Sequence, residues 1–290
     1  MDNEWLIEMN RTSLIPTTFL FLMMVVVLPT FLNPPLFLMI LMLTLHVSFF
    51  FGFSFTHGYR TLGGKAISVF FGITVMVTYV MEWLGTHFGI PFGHYYYSNQ
   101  LGPLVMDVPV VIPVQWFNML YVCYIMANIL LGKSENEVSS FKRIILSSVV
   151  VGLFMVSWDF INDPYMVGVG SWVWTDPMEF FGLAFQAIPL SNFLGWVLTS
   201  ALTVLLFDLY RRRDRESVKN FMDNVAEPIN GLVLVPYLFT LVVQTSSGIA
   251  AGVFSLGIPM SLVPIGVALV CMGLAAVLTG LSFLKRDQST

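Results

Sequence analysis

The chain of 290 residues is 57% hydrophobic and only 10% charged, where an ordinary soluble domain carries roughly 25% charged residues; its mean hydropathy is +0.81. That composition excludes a soluble globular protein and predicts an all-α, polytopic membrane helix bundle. A formal net charge of −4 gives no basic field for binding nucleic acid.

A transmembrane helix needs about 20 mainly apolar residues. Eight runs meet that length: 13–32, 36–55, 65–84, 110–131, 143–162, 190–209, 229–252 and 261–284. Together they make one integral-membrane helical domain over 1–290, with a short leading segment at 1–12 and a tail at 285–290. Asp2, Glu4 and Glu8 precede the first run, which lacks a small-residue cleavage site, so no cleavable signal peptide is evident. Asn33-Pro34-Pro35 predicts a tight turn between the first two helices, and Asn162-Asp163-Pro164 predicts the end of the fifth, since the residue before a proline is pushed out of the helical region. Cys123 and Cys271 fall in apolar runs without metal or disulfide spacing and read as small buried hydrophobes.

Orientation follows from the basic residues. Arg11, Arg60, Lys65, Lys133, Lys142, Arg143, Arg211, Arg212, Arg213, Arg215, Lys219, Lys285 and Arg286 are all 13 Lys and Arg, and an eight-span threading puts every one on the same side. By the positive-inside rule both termini and the basic loops are cytoplasmic, in a multi-pass protein of the cell membrane. The Arg211 to Arg215 run reads first as a topology-setting loop at a charged surface, with binding of anionic lipid as the alternative.

The opposite side has two long connections, 85–109 and 163–189, rich in Gly, Pro and aromatic residues. With the helix ends that feed them they hold Glu82, Asp107, Asp159, Asp163, Asp176 and Glu179 and no Lys or Arg. Irregular backbone at membrane depth survives only where protein or a water-filled cavity satisfies it. These segments are therefore expected to fold back and roof a cavity.

Glu82 leads this set, because an ionisable group within a span is a functional hypothesis by default. An apolar setting disfavours a charged carboxylate, and an acid that keeps its proton is what general-acid catalysis needs. Asp159 and Asp163, four apart, project from one face if the helix continues that far. The competing reading makes Asp163 a cap for the turn at Pro164. His87 and His94 sit in a loop broken by glycine and proline, too few for a zinc site, and read as hydrogen-bond partners or proton shuttles for Glu82. His46 and His57, in or beside the second helix, read as structural or interfacial. Trp and Tyr crowd membrane interfaces for purely physical reasons, but a belt does not explain why Tyr95, Tyr97, Trp116, Trp172 and Trp174 accompany isolated acids on one side only. Aromatic faces stabilise cations and line sites for apolar ligands. A neutral carboxylic acid in such a cavity can protonate an alkene, and water can capture the resulting carbocation. No phosphate loop, dinucleotide fingerprint or nucleophile elbow is present, so cofactor-free acid catalysis fits best. A proton-coupled lipid carrier or flippase, and a membrane prenyltransferase using Asp159 and Asp163 on Mg²⁺, are the alternatives, with a purely structural subunit behind them.

The pattern Glu82-x-x-Gly85-x-x-x-Gly89-x-Pro91-Phe92-Gly93-x-Tyr95-x-Tyr97, then Leu101-Gly102-Pro103, Val108-Pro109, Pro113 and Trp116, resembles the CruF-type carotenoid hydratases. So does Asp159-x-x-x-Asp163-Pro164 with Gly170-x-Trp172-x-Trp174, Phe181-Gly182, Ile188-Pro189, Asn192-Phe193 and Gly195-Trp196. The resemblance spans roughly 60–285. It implies addition of water to the terminal double bond of a carotenoid end, giving a tertiary alcohol without a cofactor. The implied partners are a carotenoid or other isoprenoid lipid and the membrane lipids, with a homo-oligomer or a complex with other carotenoid enzymes as a further expectation. On the physical argument, Glu82, Asp159 and Asp163 are the expected catalytic acids, Glu82 or Asp159 protonating the alkene and the partner carboxylate deprotonating the water, with His87, His94, Tyr95, Tyr97, Trp116, Trp172, Trp174 and Asn192 around the substrate and no metal.

Overall fold

A computed structural model describes residues 4–28, 35–132, 140–176, 184–185, 187–225, 227–250 and 263–287. The apolar runs form helices α1 (Glu4–Val26), α2 (Leu36–Leu62), α3 (Gly64–Phe88), α4 (Val111–Leu131), α5 (Phe141–Gly168) and α6 (Leu190–Arg211), and beyond them α8 (Leu234–Ala250) and α9 (Val263–Asp287). Glycines punctuate the chain where the sequence places them. Gly63 separates α2 from α3, and Gly89, in the left-handed region at φ 72°, closes α3 through an N–H donated to the Gly85 carbonyl.

Among the described residues six helices are long and apolar enough to cross a membrane, in α2 to α6 and at Ile229–Ser246. Two shorter apolar stretches, Ser13–Val26 and Leu269–Ser282, accompany them. The protein is thus a multi-pass, all-α membrane bundle. The Asn33-Pro34 part of the expected first turn lies outside the described residues.

α4 is the central helix. Every residue from Trp116 to Ile129 is buried, and the helix packs against α2, α3, α5, α8 and α9. Side chains of α1 and α2 mesh outside it, where Gly52 lies close beneath the Phe19 ring. Arg60 ends α2, Lys65 opens α3, Lys142 and Arg143 open α5, and Arg211 ends α6, so these basic residues gather at one end of the bundle. The basic loop after α6 also forms an unanticipated amphipathic helix, α7 (Arg215–Asn224), capped by Asp214, whose carboxylate accepts from the Ser217 N–H at 3.0 Å.

Two expectations need correction. α5 does not stop at Asn162: it runs to Gly168 with Pro164 inside it, as membrane helices allow when neighbouring groups satisfy the freed carbonyl. Of the two cysteines, Cys123 is buried but Cys271 only half-buried.

The long connections hold the extended backbone. β1 (Tyr95–Tyr97) pairs antiparallel with β4 (Trp172–Trp174), matching Tyr95 with Trp174 and Tyr97 with Trp172. The Ser98 N–H donates to the Ser171 carbonyl and the Thr175 N–H to the His94 carbonyl, which extends the seam at both ends. The hairpin of β2 (Leu104–Val105) and β3 (Val108–Pro109) turns through Met106 and Asp107, both at positive φ (44° and 66°) as a two-residue turn of this kind needs. β5 (Ala184–Phe185) and β6 (Ile188–Pro189) form a second hairpin leading into α6.

Candidate active site

At the end of the bundle opposite the basic residues lies a cavity of about 360 Å³, toward the lower end of the roughly 300–1,000 Å³ common for small-ligand sites. Its wall comes from the last turns of α3 and α5, the first turns of α4 and α6, one face of α2 over Ile40, Leu43 and Val47, part of α8, and the β1–β4 seam. Strand alternation explains why the three consecutive tyrosines divide as they do. Tyr95 and Tyr97 face the cavity with Trp172 and Trp174, while Tyr96 is 54% exposed on the other side.

Glu82 projects from α3 into this wall and is 5% exposed. Three donors close on its carboxylate. Trp116 Nε1 gives a hydrogen bond to Oε1 at 2.7 Å, the Tyr97 hydroxyl donates to Oε2 at 2.7 Å, and the Tyr95 hydroxyl donates to the same oxygen. Gly85, one turn on, makes the clamp sterically feasible: a Cβ there would stand 2.7 Å from the Tyr95 ring. Burial first, and the Glu82 charge second, push both phenols well above the usual tyrosine range. Both hydroxyls therefore remain protonated donors.

The second acidic element stands on α5. Because the helix continues past Pro164, Asp159 and Asp163 share a face as the four-residue spacing requires. Asn192, in the first turn of α6, bridges them: its amide donates to Asp159 Oδ2 at 3.2 Å and to Asp163 Oδ2. Asp163 lines the cavity, whereas Asp159, fully buried, sits behind it with Oδ1 unpartnered. Two enclosed carboxyl groups that share one amide have no cation to balance them, since no Lys or Arg is on the described wall.

Aromatic rings fill the space between. Trp116 and Trp196 stack at 3.9 Å between centroids, and Trp158 meets Trp196 edge-on at 5.5 Å. Trp172 stands edge-on to Tyr97 at 5.8 Å. Trp174 Nε1 donates to the Phe92 carbonyl at 2.8 Å, which locks the loop after α3 onto β4.

Of the expected site residues, Glu82, Asp163, Tyr95, Tyr97, Trp116, Trp172, Trp174 and Asn192 line this one cavity. His87 and His94 do not. His87 turns outward, with Nε2 3.4 Å from Asp107, and the His94 ring lies over Gly89. Asp107 and Asp176 are exposed, and Glu179 lies outside the described residues. His57 is structural as expected, joining α2 to the Ile229 carbonyl at 3.0 Å. His46, read as structural or interfacial, lines the cavity. Sequence reasoning missed Gln115, Asn162 and Gln244; Gln244 Nε2 donates to Asn162 Oδ1 at 2.7 Å from across the cavity. A lone amide inside the apolar run of α8 was the available signal.

The family described as "Carotenoid biosynthesis protein" matches residues 35–273, and the chain belongs to it. A bisanhydrobacterioruberin hydratase of Haloarcula japonica is 32% identical over 134 residues, which make up 46% of this chain and 42% of that relative. The match thus covers less than half of the relative's length. No solved structure matches the chain.

Proposed function

We propose that this member of the carotenoid biosynthesis family is a hydratase that adds water across the terminal trisubstituted double bond of a carotenoid end group, forming a tertiary alcohol. One observation carries the reading: Glu82 and Asp163 face a single aromatic cavity with no Lys or Arg on its described wall. Group transfer from a phosphorylated donor would call for basic residues there. Hydration of an apolar alkene calls for an acid, a water and a surround that tolerates a cation. The relative named as a hydratase agrees with that chemistry.

The donor patterns divide the roles. Trp116 Nε1–H can only donate, and with two phenols on the other oxygen it fits a Glu82 carboxylate, leaving about one of its four acceptor sites free for a water. The Asp159–Asp163 pair, close and without a cation, is relieved by holding a proton. Asp163 then protonates the less substituted alkene carbon. Its O–H bond breaks, the π pair forms the new C–H bond, and a tertiary cation is left on the adjacent carbon beside the Trp116 and Trp196 faces. Water held by Glu82 attacks that carbon and forms the C–O bond. Its surplus proton passes to Glu82 and returns to Asp163 through solvent, so the sum is alkene plus water and no cofactor is consumed. Asp159 backs Asp163 through their shared amide.

The cavity suits one end of a long polyene, which would enter sideways from the bilayer while the rest of the molecule stays in lipid. The same reading gives the chain eight crossings, with both termini and the basic loops cytoplasmic and the site toward the other face of the cell membrane. The test is expression in a bacterial host that makes an acyclic carotenoid, with the pigments weighed by mass spectrometry. The expected product is heavier by one water and absent with Asp163→Asn. A pigment pool left unchanged while the protein accumulates would overturn the reading.

A further inference from the structure

The basic end of the bundle contains a second, smaller cavity that the proposed reaction does not use. It has a volume of about 30 Å³ and lies between the start of α5 and the end of α6. Arg211 dominates it. This side chain is only 4% exposed, and its Nε and Nη2 are buried without a hydrogen-bond partner. Nη1 donates to the Tyr124 hydroxyl at 2.9 Å, and the guanidinium lies over the rings of Phe221 at 4.6 Å and Phe207 at 5.6 Å. The fork is therefore held still with two donor atoms idle. Arg143 reaches the same cavity from α5, anchored by a bond from Nη2 to Asn128 Oδ1 at 3.2 Å, and exposed Arg212 stands at the mouth. Asp208 is the one carboxylate on the described wall, and its Oδ1 already accepts from Tyr124 at 2.7 Å. On the described wall three guanidiniums stand against one carboxylate.

Idle N–H groups on a buried guanidinium are costly, and the planar fork matches the oxygens of a phosphate. The volume has room for about two oxygen-sized groups, so a phosphate would insert its oxygens and leave its substituents at the mouth. On the outward faces of the same two helices, turned away from the cavity, Phe141, Ile145, Leu146 and Val149 on α5 are 43–54% exposed, and Leu206 and Leu209 on α6 are 37% exposed. A lipid packed against that apolar exterior carries its phosphate at the level of the basic loop.

We propose that this cavity binds a phosphate group, supplied by an anionic phospholipid, through Arg211, Arg143 and Arg212. It would clamp α5 to α6 at the end away from the acidic cavity, and it does not depend on the hydratase reading. The test is the melting temperature of the purified full chain in detergent, followed by tryptophan fluorescence, with added phosphatidylglycerol, phosphatidylcholine of the same acyl chains, or inorganic phosphate. Phosphatidylglycerol should raise Tm by on the order of 3 °C and phosphatidylcholine should not. An equal rise with inorganic phosphate alone upholds the phosphate site and assigns it to the free ion. Arg143→Gln and Arg212→Gln leave the Arg211–Tyr124–Asp208 core in place and should each remove about half of the rise or more. Arg213→Gln, in the same loop but off the cavity wall, should keep it. Equal rises with both lipids, no rise with either anion, or an equal loss in Arg213→Gln would each overturn the proposal.

Discussion

The bundle carries acids at both ends, under opposite conditions. At the basic end Asp208 is tied through the Tyr124 hydroxyl to Arg211, with Arg143 on the same small cavity. At the other end Glu82, Asp159 and Asp163 are buried more deeply than half-buried Asp208, but the donors on their carboxyl groups are neutral: two phenols, an indole and an amide. A buried carboxylate with a cation close by has its charge compensated and little reason to exchange protons. A group of carboxyls with only neutral donors does not have that compensation, and taking up a proton relieves it. Burial of an acid alone therefore does not mark the proposed reactive end. Its marks are a described wall without Lys or Arg and an aromatic cavity of about 360 Å³, against about 30 Å³ at the basic end.

The strongest way to break this contrast is to neutralise acids at both ends. Asp163→Asn and Glu82→Gln should each lower hydrated product by on the order of 10²–10⁴-fold, the usual span for removing a general acid or base, while the protein still accumulates. Asp208→Asn should lower Tm yet leave turnover of the folded protein within about threefold of the unaltered chain, because a group outside the cavity touches no reacting atom. Comparable loss of turnover in Asp208→Asn would erase the distinction. A smaller effect is expected from Asn192→Ala. It strips the shared donor from two carboxyls and should cost about 1–3 kcal/mol in stability, read as denaturant midpoint, together with a fall in product that Asp163→Asn does not deepen when the two are combined. Additive losses would show that Asn192 acts independently of the pair.

The helices and the side on which the acids gather are both legible from composition, because apolar length, isolated charge and basic-residue placement are local properties. The clamp on Glu82 is not. It depends on strand pairing between Tyr95 and Trp174, which are remote in sequence, and the Tyr-Tyr-Tyr run does not say by itself which rings turn inward. Proline rules misplace the end of α5, since a local preference at Pro164 yields to packing against α6. The Asn162–Gln244 pair and the enclosure of Arg211 likewise join residues that only the assembled bundle brings together. Gly85 stands between these cases. Its place one turn after Glu82 is visible, but its reason is the Tyr95 ring that a Cβ would meet at 2.7 Å. Gly85→Ala should cost about 1–3 kcal/mol by overpacking and reduce activity beyond what the stability loss explains, because Tyr95 must leave Glu82. Full activity in that variant would detach the tyrosine clamp from the chemistry.

The finest comparison deletes one phenol oxygen at each end. Tyr124→Phe removes the acceptor of Arg211 and the donor to Asp208, so its expected signature is a lower Tm with turnover unchanged in the protein that remains folded. Tyr97→Phe removes the 2.7 Å bond to Glu82 Oε2 but leaves Tyr95 on the same oxygen and Trp116 on the other. A hydrogen bond to a charged group contributes about 1.5–3 kcal/mol, and the remaining donors should hold the activity loss near the lower end, about tenfold. The pH dependence separates this from a proton-transfer role for the phenol. Burial and the Glu82 charge raise the Tyr97 hydroxyl above its usual value, so its contribution is complete below the ordinary tyrosine range and disappears only above it. The ratio of unaltered to Tyr97→Phe activity should therefore be the same at about pH 6 and about pH 9. A ratio that shrinks towards about pH 9 would mean that the hydroxyl ionises in that window, and the clamp would then be a titrating part of the acidic end rather than a fixed one.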